Sequence, residues 1–266
     1  MLICGMPATA DPAAIREILR RDPAWCVFAL ADLAPAYSGH ARWHVASDGR
    51  PALLLVYGGF HPPALFGHGA AEDLAGLMPE IADQPEFYVS VKREFAEWLG
   101  THGYRFRREL QMWRMVLGPS RIVPRAHAAV RLGPQDYDRL TELYRDGEAT
   151  GEAPPFFNAG MLENAIYYGI RDRDGIIAAA GTPVLAREEG VAAVGTVYTR
   201  RDRRGRGYGM AVTAAVTAEL VRSGVGLVAL NVARTNAGAI RIYEQLGFAR
   251  YCEYREGPIY RERPTV

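Results

Sequence analysis

The stretch VGTVYTRRDRRGRGYGM, residues 194–210, joins an apolar run to a loop rich in arginine and glycine. Five arginines and three glycines stand between Arg200 and Met210, and an alanine-rich segment follows. The apolar run predicts a buried strand over Val191–Thr199. Apolar residues that recur on one helical face after the loop predict a helix over Gly207–Arg222. The stretch therefore predicts a strand–loop–helix unit.

The start of this predicted helix is suited to an anion. A helix N-terminus presents about four unpaired N–H groups and roughly half a positive charge. Glycine lets an anion approach the backbone closely. We expect a phosphate or pyrophosphate to bind here, whereas an arginine run alone is more typical of a solvated basic loop.

Two common phosphate-binding loops do not fit the sequence. The chain has no GxxxxGK followed by Ser or Thr, as a nucleoside-triphosphate loop requires. The glycines at Gly205, Gly207 and Gly209 do not follow the strand directly, and the region around Ala229 holds no acidic residue, so a dinucleotide-binding turn is also disfavoured.

Composition excludes several classes of protein. The 266 residues are 49% apolar with a net charge of +1, which indicates a globular protein without long-range attraction to nucleic acid or anionic membranes. Three cysteines without a CxxC motif favour a reducing compartment, so we expect a cytoplasmic protein without a metal. The N-terminal residues lack a basic segment and a long apolar run, so we expect no signal peptide. The spacings of His40 with His44 and of His61 with His68 do not make a zinc site.

The two halves of the chain show the same order of predicted elements, which suggests an internal repeat. Two unrelated α+β halves are the alternative. Proline and glycine near residue 120 place the domain boundary there, with domains 1–120 and 121–266. The matching features are hairpin turns at Asp48-Gly49 and Asp174-Gly175, strands at 86–91 and 227–232, and helix ends at Gly103-Tyr104 and Gly247-Phe248.

Two motifs resemble those of the GNAT superfamily of acyl-CoA-dependent N-acyltransferases. The first, R-x-x-G-x-G, stands at Arg204, Gly207 and Gly209. The second, N-x-x-A-x-x-x-Y-x-x-x-G-F, has its members at Asn236, Ala239, Tyr243, Gly247 and Phe248. The resemblance covers roughly residues 125 to 260.

The resemblance implies an α+β fold of two GNAT-like domains, each a twisted, mostly antiparallel sheet flanked by helices. In the first half, Lys92 and Leu99 occupy the positions of Asn236 and Tyr243, and the phosphate loop is missing. We therefore expect the N-terminal copy to be degenerate and not catalytic.

The resemblance also implies the site. Coenzyme A would place its pyrophosphate on the N–H groups of residues 204–210 and its pantetheine arm beside the end of the preceding strand. Tyr243 would be the catalytic residue, assisting the departing thiolate, although a core tyrosine is the simpler reading of that residue alone. The expected cofactor-binding residues are Val197, Tyr198, Thr199, Arg204, Gly205, Arg206, Gly207, Tyr208, Gly209, Met210, Asn236, Ala239 and Tyr243.

The sequence does not identify the arginine that meets the 3′-phosphate or the general base. Arg201, Arg203 or Arg206 would meet the 3′-phosphate, and spacing does not say which. The strand before the loop has no acid or histidine, so a water chain is the expected base. Glu152 and Glu163 are weak candidates for that base, since each is typical of a surface charge.

These features predict transfer of an acetyl group from acetyl-CoA to a primary amine of a small molecule or peptide. We expect no nucleic acid or membrane partner, and a monomer or homodimer. A non-catalytic acyl-CoA sensor is the alternative. Nucleic-acid binding through residues 200–206 and acylation of a hydroxyl are further alternatives.

Overall fold

The computed structural model describes residues 11–47, 49–118, 129–154, 157–173 and 175–262. These residues form two compact units. Unit 1 takes in the described residues up to Met112 together with those from Glu253 onward, and unit 2 runs from Trp113 to Cys252. Each unit has its own hydrophobic core.

The elements follow in chain order. The helices are α1 Pro12–Leu19, α2 Val27–Ala31, α3 Pro35–Ser38, α4 Ala71–Leu77, α5 Arg93–Thr101, α6 Tyr137–Glu148, α7 Ala159–Asn164, α8 Tyr208–Arg222 and α9 Ala237–Leu246. The strands are β1 Ala41–Val45, β2 Leu53–Tyr57, β3 Ala64–His68, β4 Glu86–Lys92, β5 Tyr104–Phe106, β6 Leu110–Leu117, β7 Val130–Arg131, β8 Tyr167–Asp172, β9 Gly175–Ala186, β10 Val191–Thr199, β11 Leu227–Ala233 and β12 Phe248–Arg261.

The sheet of unit 1 begins as a meander and ends with the last strand of the chain. Strands β1, β2 and β3 pair antiparallel, and β3 pairs parallel with β4. The residues of β12 from Tyr254 onward pair antiparallel with β4, and β5 pairs with the end of β12. Helices α4 and α5 cover this sheet with apolar side chains such as Leu74, Phe95 and Leu99.

The sheet of unit 2 has the same order with one more antiparallel strand at its start. Strands β7, β8, β9 and β10 pair antiparallel, β10 pairs parallel with β11, and β6 lies beside β11. Alternate residues of a strand face opposite sides of a sheet. Ala178 and Ala180 of β9 accordingly join the core under α8, whereas Ala179 joins the core under α6.

The predicted strand over Val191–Thr199 is confirmed residue for residue, and the predicted helix begins one residue late, at Tyr208. Helix α8 lies flat on the sheet because Val212, Val216 and Leu220 are fully buried on one face. Small alanines around them let the helix approach the strands closely. The rigid packing of α8 holds its N-terminus in place.

Unit 1 has the same chain path with its loop removed, as expected for a degenerate copy. Only Gly69 and Ala70 separate β3 from α4, whereas residues 200–207 separate β10 from α8. The β3–β4 pairing ends at Phe66↔Ser90, and just beyond it the indole N–H of Trp25 donates to Gly67 O at 2.9 Å. The indole of Trp25, a residue of unit 1 itself, therefore hydrogen-bonds a main-chain carbonyl just past the last residue pair of β3 and β4.

Some predictions fall outside the described residues. The domain boundary between residues 120 and 121 lies there, as do the turn residues Asp48 and Asp174. The domain limits 1–120 and 121–266 therefore stay a prediction. The division of β12 between the two units was not anticipated from sequence. Over the described residues, no helix is long and apolar enough to cross a membrane.

Two glycines near the end of α5 allow the backbone conformation of unit 1 to be tested by substitution. Gly100 lies within the helix and Gly103 after it has φ +83°, and a Cβ at either position meets no atom within 4 Å. We expect Gly100→Ala to raise the free energy of unfolding by about 0.5–1 kcal/mol because alanine restricts the unfolded chain.

Gly103→Ala should instead lower that free energy by about 1–2 kcal/mol because a Cβ is strained at positive φ. Since neither alanine creates a clash, the pair isolates the backbone term. Urea denaturation of both variants measures it, and equal shifts of the same sign would contradict the assigned backbone.

Candidate active site

The parallel strands of unit 2 separate toward their carboxyl ends. Pairing of β10 with β11 runs from Val191↔Leu227 to Val194↔Leu230. Both strands continue past the last pair, β10 to Thr199 and β11 to Ala233. Beyond Val194 and Leu230 a gap therefore opens at the edge of the sheet where ligands of parallel α/β units commonly bind.

An irregularity in β10 produces this gap. The register between β10 and β9 shifts on both sides of Gly195, which is the signature of a β-bulge. Thr196 has φ +49°, a conformation that is costly for a β-branched residue. A Cβ on Gly195 would lie 2.8 Å from Pro183, so only glycine fits beside the bulge.

Two tyrosines hold Thr196 in this conformation. The hydroxyl of Tyr144 donates to Thr196 O at 3.0 Å, and the hydroxyl of Thr196 donates to Tyr167 Oη at 3.3 Å. Burial raises the pKa of Tyr144, so this hydroxyl stays protonated and able to donate. Strained backbone held by its surroundings is typical of functional sites.

The loop that follows β10 turns through two left-handed residues. Gly205 has φ +76° and Gly207 has φ +80°, which glycine adopts without strain. The first helical hydrogen bond of α8 runs from Ala211 N–H to Gly207 O, so the N–H groups before it have no acceptor within the helix. The Arg204 N–H donates to Arg201 O at 3.4 Å, whereas the exposed Gly205 and Gly207 leave their N–H groups accessible to an anion.

The arginine side chains of the loop pair with carboxylates. Arg201 N–H and Arg201 Nε donate to Asp146 of α6 at 3.0 and 3.4 Å. Arg203 pairs with Asp172 at the end of β8 at 3.2 Å, and it also pairs with Asp202. These contacts connect the loop to α6 and to β8.

Arg204 is held in the same way. It forms two hydrogen bonds to Glu152, at 3.0 and 3.1 Å, and donates from Nε to Thr199 O at 3.2 Å. Its guanidinium also lies over the Tyr198 ring at 5.5 Å. The crowded cations therefore pair with neighbouring groups and shape the loop.

These ion pairs bear on the two roles that the sequence left open, the contact of the 3′-phosphate and the general base. Arg201 and Arg203, two of the three arginines considered for the 3′-phosphate, already contact carboxylates. Hydrogen bonds from Arg204 lower the pKa of Glu152, which makes that carboxylate a poorer base. Glu163, the other weak candidate, is exposed on α7.

The second motif builds α9 and places Tyr243. Asn236 is the N-cap, with Oδ1 accepting from Ala239 N–H at 3.1 Å, and Gly247 ends the helix at φ +103°. Tyr243 is 7% exposed and lies in the core cluster of unit 2. Burial raises the pKa of Tyr243 to about 12.

The structure brings several of the expected site residues together and separates one. Tyr243 shares its cluster with Val197, Tyr208, Met210 and Ala239. The side chain of Tyr198 lies on the opposite face, where its hydroxyl donates to Asp146 at 2.8 Å. Only the backbone of Tyr198 can therefore contact a ligand in the gap.

The model of the family described as FR47-like protein matches residues 167–256, which include every expected site residue. No curated protein matches the chain significantly.

Solved structures match over most of the chain. A putative acetyltransferase of the GNAT family from Novosphingobium aromaticivorans is 22% identical over 74% of this chain and 84% of its own, with a TM-score of 0.56. A GCN5-related N-acetyltransferase from Sphaerobacter thermophilus is 18% identical over 97% and 96%, with a TM-score of 0.59. A tandem GNAT protein from the clavulanic acid biosynthesis pathway is 14% identical over 97% and 98%, with a TM-score of 0.56.

The chain has the GNAT superfamily fold. The match to a tandem GNAT protein over nearly the whole of both chains agrees with two GNAT-like copies in this one. The fold class expected from sequence is thereby confirmed. Among the described residues of this GNAT fold, no group of three or more His, Cys, Asp or Glu could hold a metal ion.

Sequence reasoning missed one polar residue beside the gap. Asn231 is the first residue of β11 after the last pair with β10. Its neighbours Leu230 and Val232 join the core under α8, so Asn231 faces the other side of the sheet. Its buried Oδ1 has no hydrogen-bond partner among the residues that the structure describes. Such an unpaired acceptor is rare in folded proteins and favours a functional role.

The two asparagines of this GNAT fold predict opposite stability effects. Asn231→Leu replaces an unpaired buried acceptor with an apolar group of similar size and should raise the free energy of unfolding by about 1 kcal/mol. Asn236→Ala removes a paired helix cap and should lower it by about 1 kcal/mol. Urea denaturation of each variant measures the difference, and destabilisation by Asn231→Leu would show that Oδ1 has a structural partner.

Proposed function

We propose that the chain transfers an acetyl group from acetyl-CoA to a primary amine by direct attack of the amine on the thioester. The observation that carries this proposal is the gap between β10 and β11 beside the open amides at the start of α8. A diphosphate suits those amides, and an extended chain suits the gap. Coenzyme A contains a diphosphate that is covalently joined to an extended pantetheine chain.

The proposed position of the cofactor follows from these two features. Its pyrophosphate lies against the N–H groups of residues 204–210, where the helix dipole favours negative charge. The pantetheine arm enters the gap and pairs with the strand end Val197–Thr199 like an added strand. The thioester then lies at the inner end of the gap, near the bulge at Thr196.

The reaction forms a C–N bond and breaks a C–S bond. The amine attacks the thioester carbonyl, and a strand N–H facing the gap stabilises the oxyanion that develops. The intermediate collapses with loss of the thiolate, and the proton released by the amine passes to water.

Tyr243 acts on the leaving sulfur in this proposal. A free thiol has a pKa near 8.5, and burial raises the pKa of Tyr243 to about 12. Complete proton transfer to the thiolate would therefore cost about 5 kcal/mol, at 1.36 kcal/mol for each pKa unit. Tyr243 is thus better suited to donate a hydrogen bond to the departing sulfur than to give up its proton fully.

The proposal is tested by a thermal-shift and free-thiol release screen with acetyl-CoA. At a ligand concentration of about 100 times Kd, binding should stabilise the fold by about 2.7 kcal/mol. Thiol release with one of a set of pooled amines identifies the enzyme and its acceptor class. Stabilisation without thiol release from amines or hydroxyl compounds would support the sensor, and the absence of any stabilisation would refute acyl-CoA binding.

The role of Tyr243 predicts a specific kinetic result. Tyr243→Phe should lower kcat about 100-fold because the hydrogen bond to the leaving thiolate is lost, while Kd for acetyl-CoA changes little. Stopped-flow or steady-state thiol release measures kcat, and calorimetry measures Kd. The control is Tyr104→Phe, which removes a hydroxyl from a buried tyrosine of unit 1. An unaltered kcat with Tyr243→Phe would remove this residue from catalysis.

A further inference from the structure

Aromatic side chains gather at one end of the β1–β2 pair of unit 1. The ring of Tyr57 lies 5.8 Å from the ring of His40 and 5.3 Å from the ring of Phe60, measured between ring centres. Neither neighbour stacks face to face on Tyr57, since the planes are inclined by 60° and 48°. With Tyr37, which is 37% exposed, these residues form what we call the aromatic cluster.

The backbone fixes the aromatic cluster. Strand β2 ends at Tyr57, and the next N–H, of Gly58, donates to His40 O at 2.8 Å. The N–H of His40 in turn donates to Tyr37 O at 3.0 Å, which joins α3 to the same place. A Cβ on Gly59 would overlap the Tyr57 ring, so this ring rests directly on the glycine backbone.

A carboxylate lies beside the aromatic cluster. Asp32 follows the last residue of α2, is half-buried and lies close enough to Tyr57 to raise the pKa of its hydroxyl. Within the described ranges, the Asp32 carboxylate forms no hydrogen bond or ion pair. Burial raises the pKa of Asp32 to about 7. The ionised form of this group therefore lacks both full hydration and a cation.

Asp32 differs in this respect from two other aspartates of unit 1. Asp22 pairs with Lys92 at 3.0 Å, and Asp73 pairs with Arg50. A carboxylate that loses water on folding is usually paired in this way, because an uncompensated charge is costly to desolvate. A bound cation would supply to Asp32 the partner that Lys92 and Arg50 supply to the other two.

We infer that the aromatic cluster and Asp32 form a binding site for a quaternary ammonium group. Aromatic faces attract a cation through the ring quadrupole, and the carboxylate adds the opposite charge. A primary ammonium is strongly hydrated and has three N–H donors that need acceptors. A quaternary ammonium has no such donor, and its methyl groups can pack on the rings. The site would give unit 1 a binding function that does not depend on the proposed acyl transfer.

The test compares choline with 3,3-dimethylbutan-1-ol, which has nearly the same shape and no charge. NMR titration of the full chain at pH 8 gives Kd of each ligand for the wild type, Asp32→Asn and the control Asp83→Asn, which alters an exposed carboxylate of unit 1. We expect the wild type to bind choline roughly tenfold more tightly than the neutral alcohol. This preference should fall to about threefold in Asp32→Asn, where the rings remain, and should not change in Asp83→Asn.

Two further measurements separate binding from folding. Phe60→Leu replaces an exposed ring with an apolar side chain and should weaken choline binding about threefold, while the neutral alcohol is little affected. Asp32→Asn should unfold at a higher temperature than the wild type at pH 8. The raised pKa means that the ionised carboxylate destabilises the folded chain at that pH. Loss of choline preference in a more stable variant does not come from unfolding.

The pH dependence gives an independent readout of Asp32. Because its pKa is about 7, choline affinity should fall about threefold from pH 8 to pH 5.5 as the carboxylate gains a proton, and Asp32→Asn should abolish this fall. The other titratable groups of the site are Tyr37, His40 and Tyr57. The phenols stay neutral over this range, and the fall should persist in His40→Gln.

Several outcomes would overturn the site. One is equal affinity of the wild type for choline and the neutral alcohol, or binding of neither. Others are a full choline preference in Asp32→Asn, an equal loss in Asp83→Asn, or unchanged choline binding in Phe60→Leu. Ethanolamine that binds as tightly as choline would overturn the assignment to a quaternary ammonium. None of these measurements uses acyl-CoA, so their failure leaves the proposed acyl transfer untouched.

Discussion

The separation of β10 from β11 after Val194 and Leu230 is the constraint on which the candidate site depends. Two parallel strands that stayed paired to their ends would satisfy each other's backbone groups and leave no space for a ligand. The bulge at Gly195 and Thr196 prevents this, at the cost of a β-branched residue with positive φ. Hydrogen bonds to Tyr144 and Tyr167 hold that residue in place. Unit 1 shows the contrasting case, in which Trp25 occupies a backbone acceptor just past the end of the equivalent parallel pair.

The arginine side chains of the loop and its main-chain amides have different roles. In the loop, arginine side chains pair with Asp146, Asp172 and Glu152, so that they hold the backbone rather than meet a ligand directly. In the proposed function, main-chain amides at the start of α8 supply the attraction for the diphosphate.

Several features of the fold and site were predictable because they depend on residues close together in the chain. The strand over Val191–Thr199 follows from its apolar run, and the caps of α9 follow from Asn236 and Gly247. The positive φ angles of Gly205 and Gly207 agree with the need for glycine in a tightly turned loop. The bulge was not predictable, because nothing in the local sequence distinguishes Thr196 from its neighbours in an ordinary strand. The unpaired acceptor of Asn231 was also missed, since alternation alone does not show which strand residue loses its partner.

The sequence by itself determined the order of elements, the repeat, the loop glycines and the helix caps, because backbone propensity and capping act over a few residues. Only the tertiary structure decided which arginines meet carboxylates, since the contact of Arg201 with Asp146 joins positions 55 residues apart. It also decided that the final strand is shared between the units and that Trp113 lies beside Arg234 and Arg250. Such contacts follow from the packing of whole elements against one another. A local sequence pattern does not determine the distance between two elements in the folded chain.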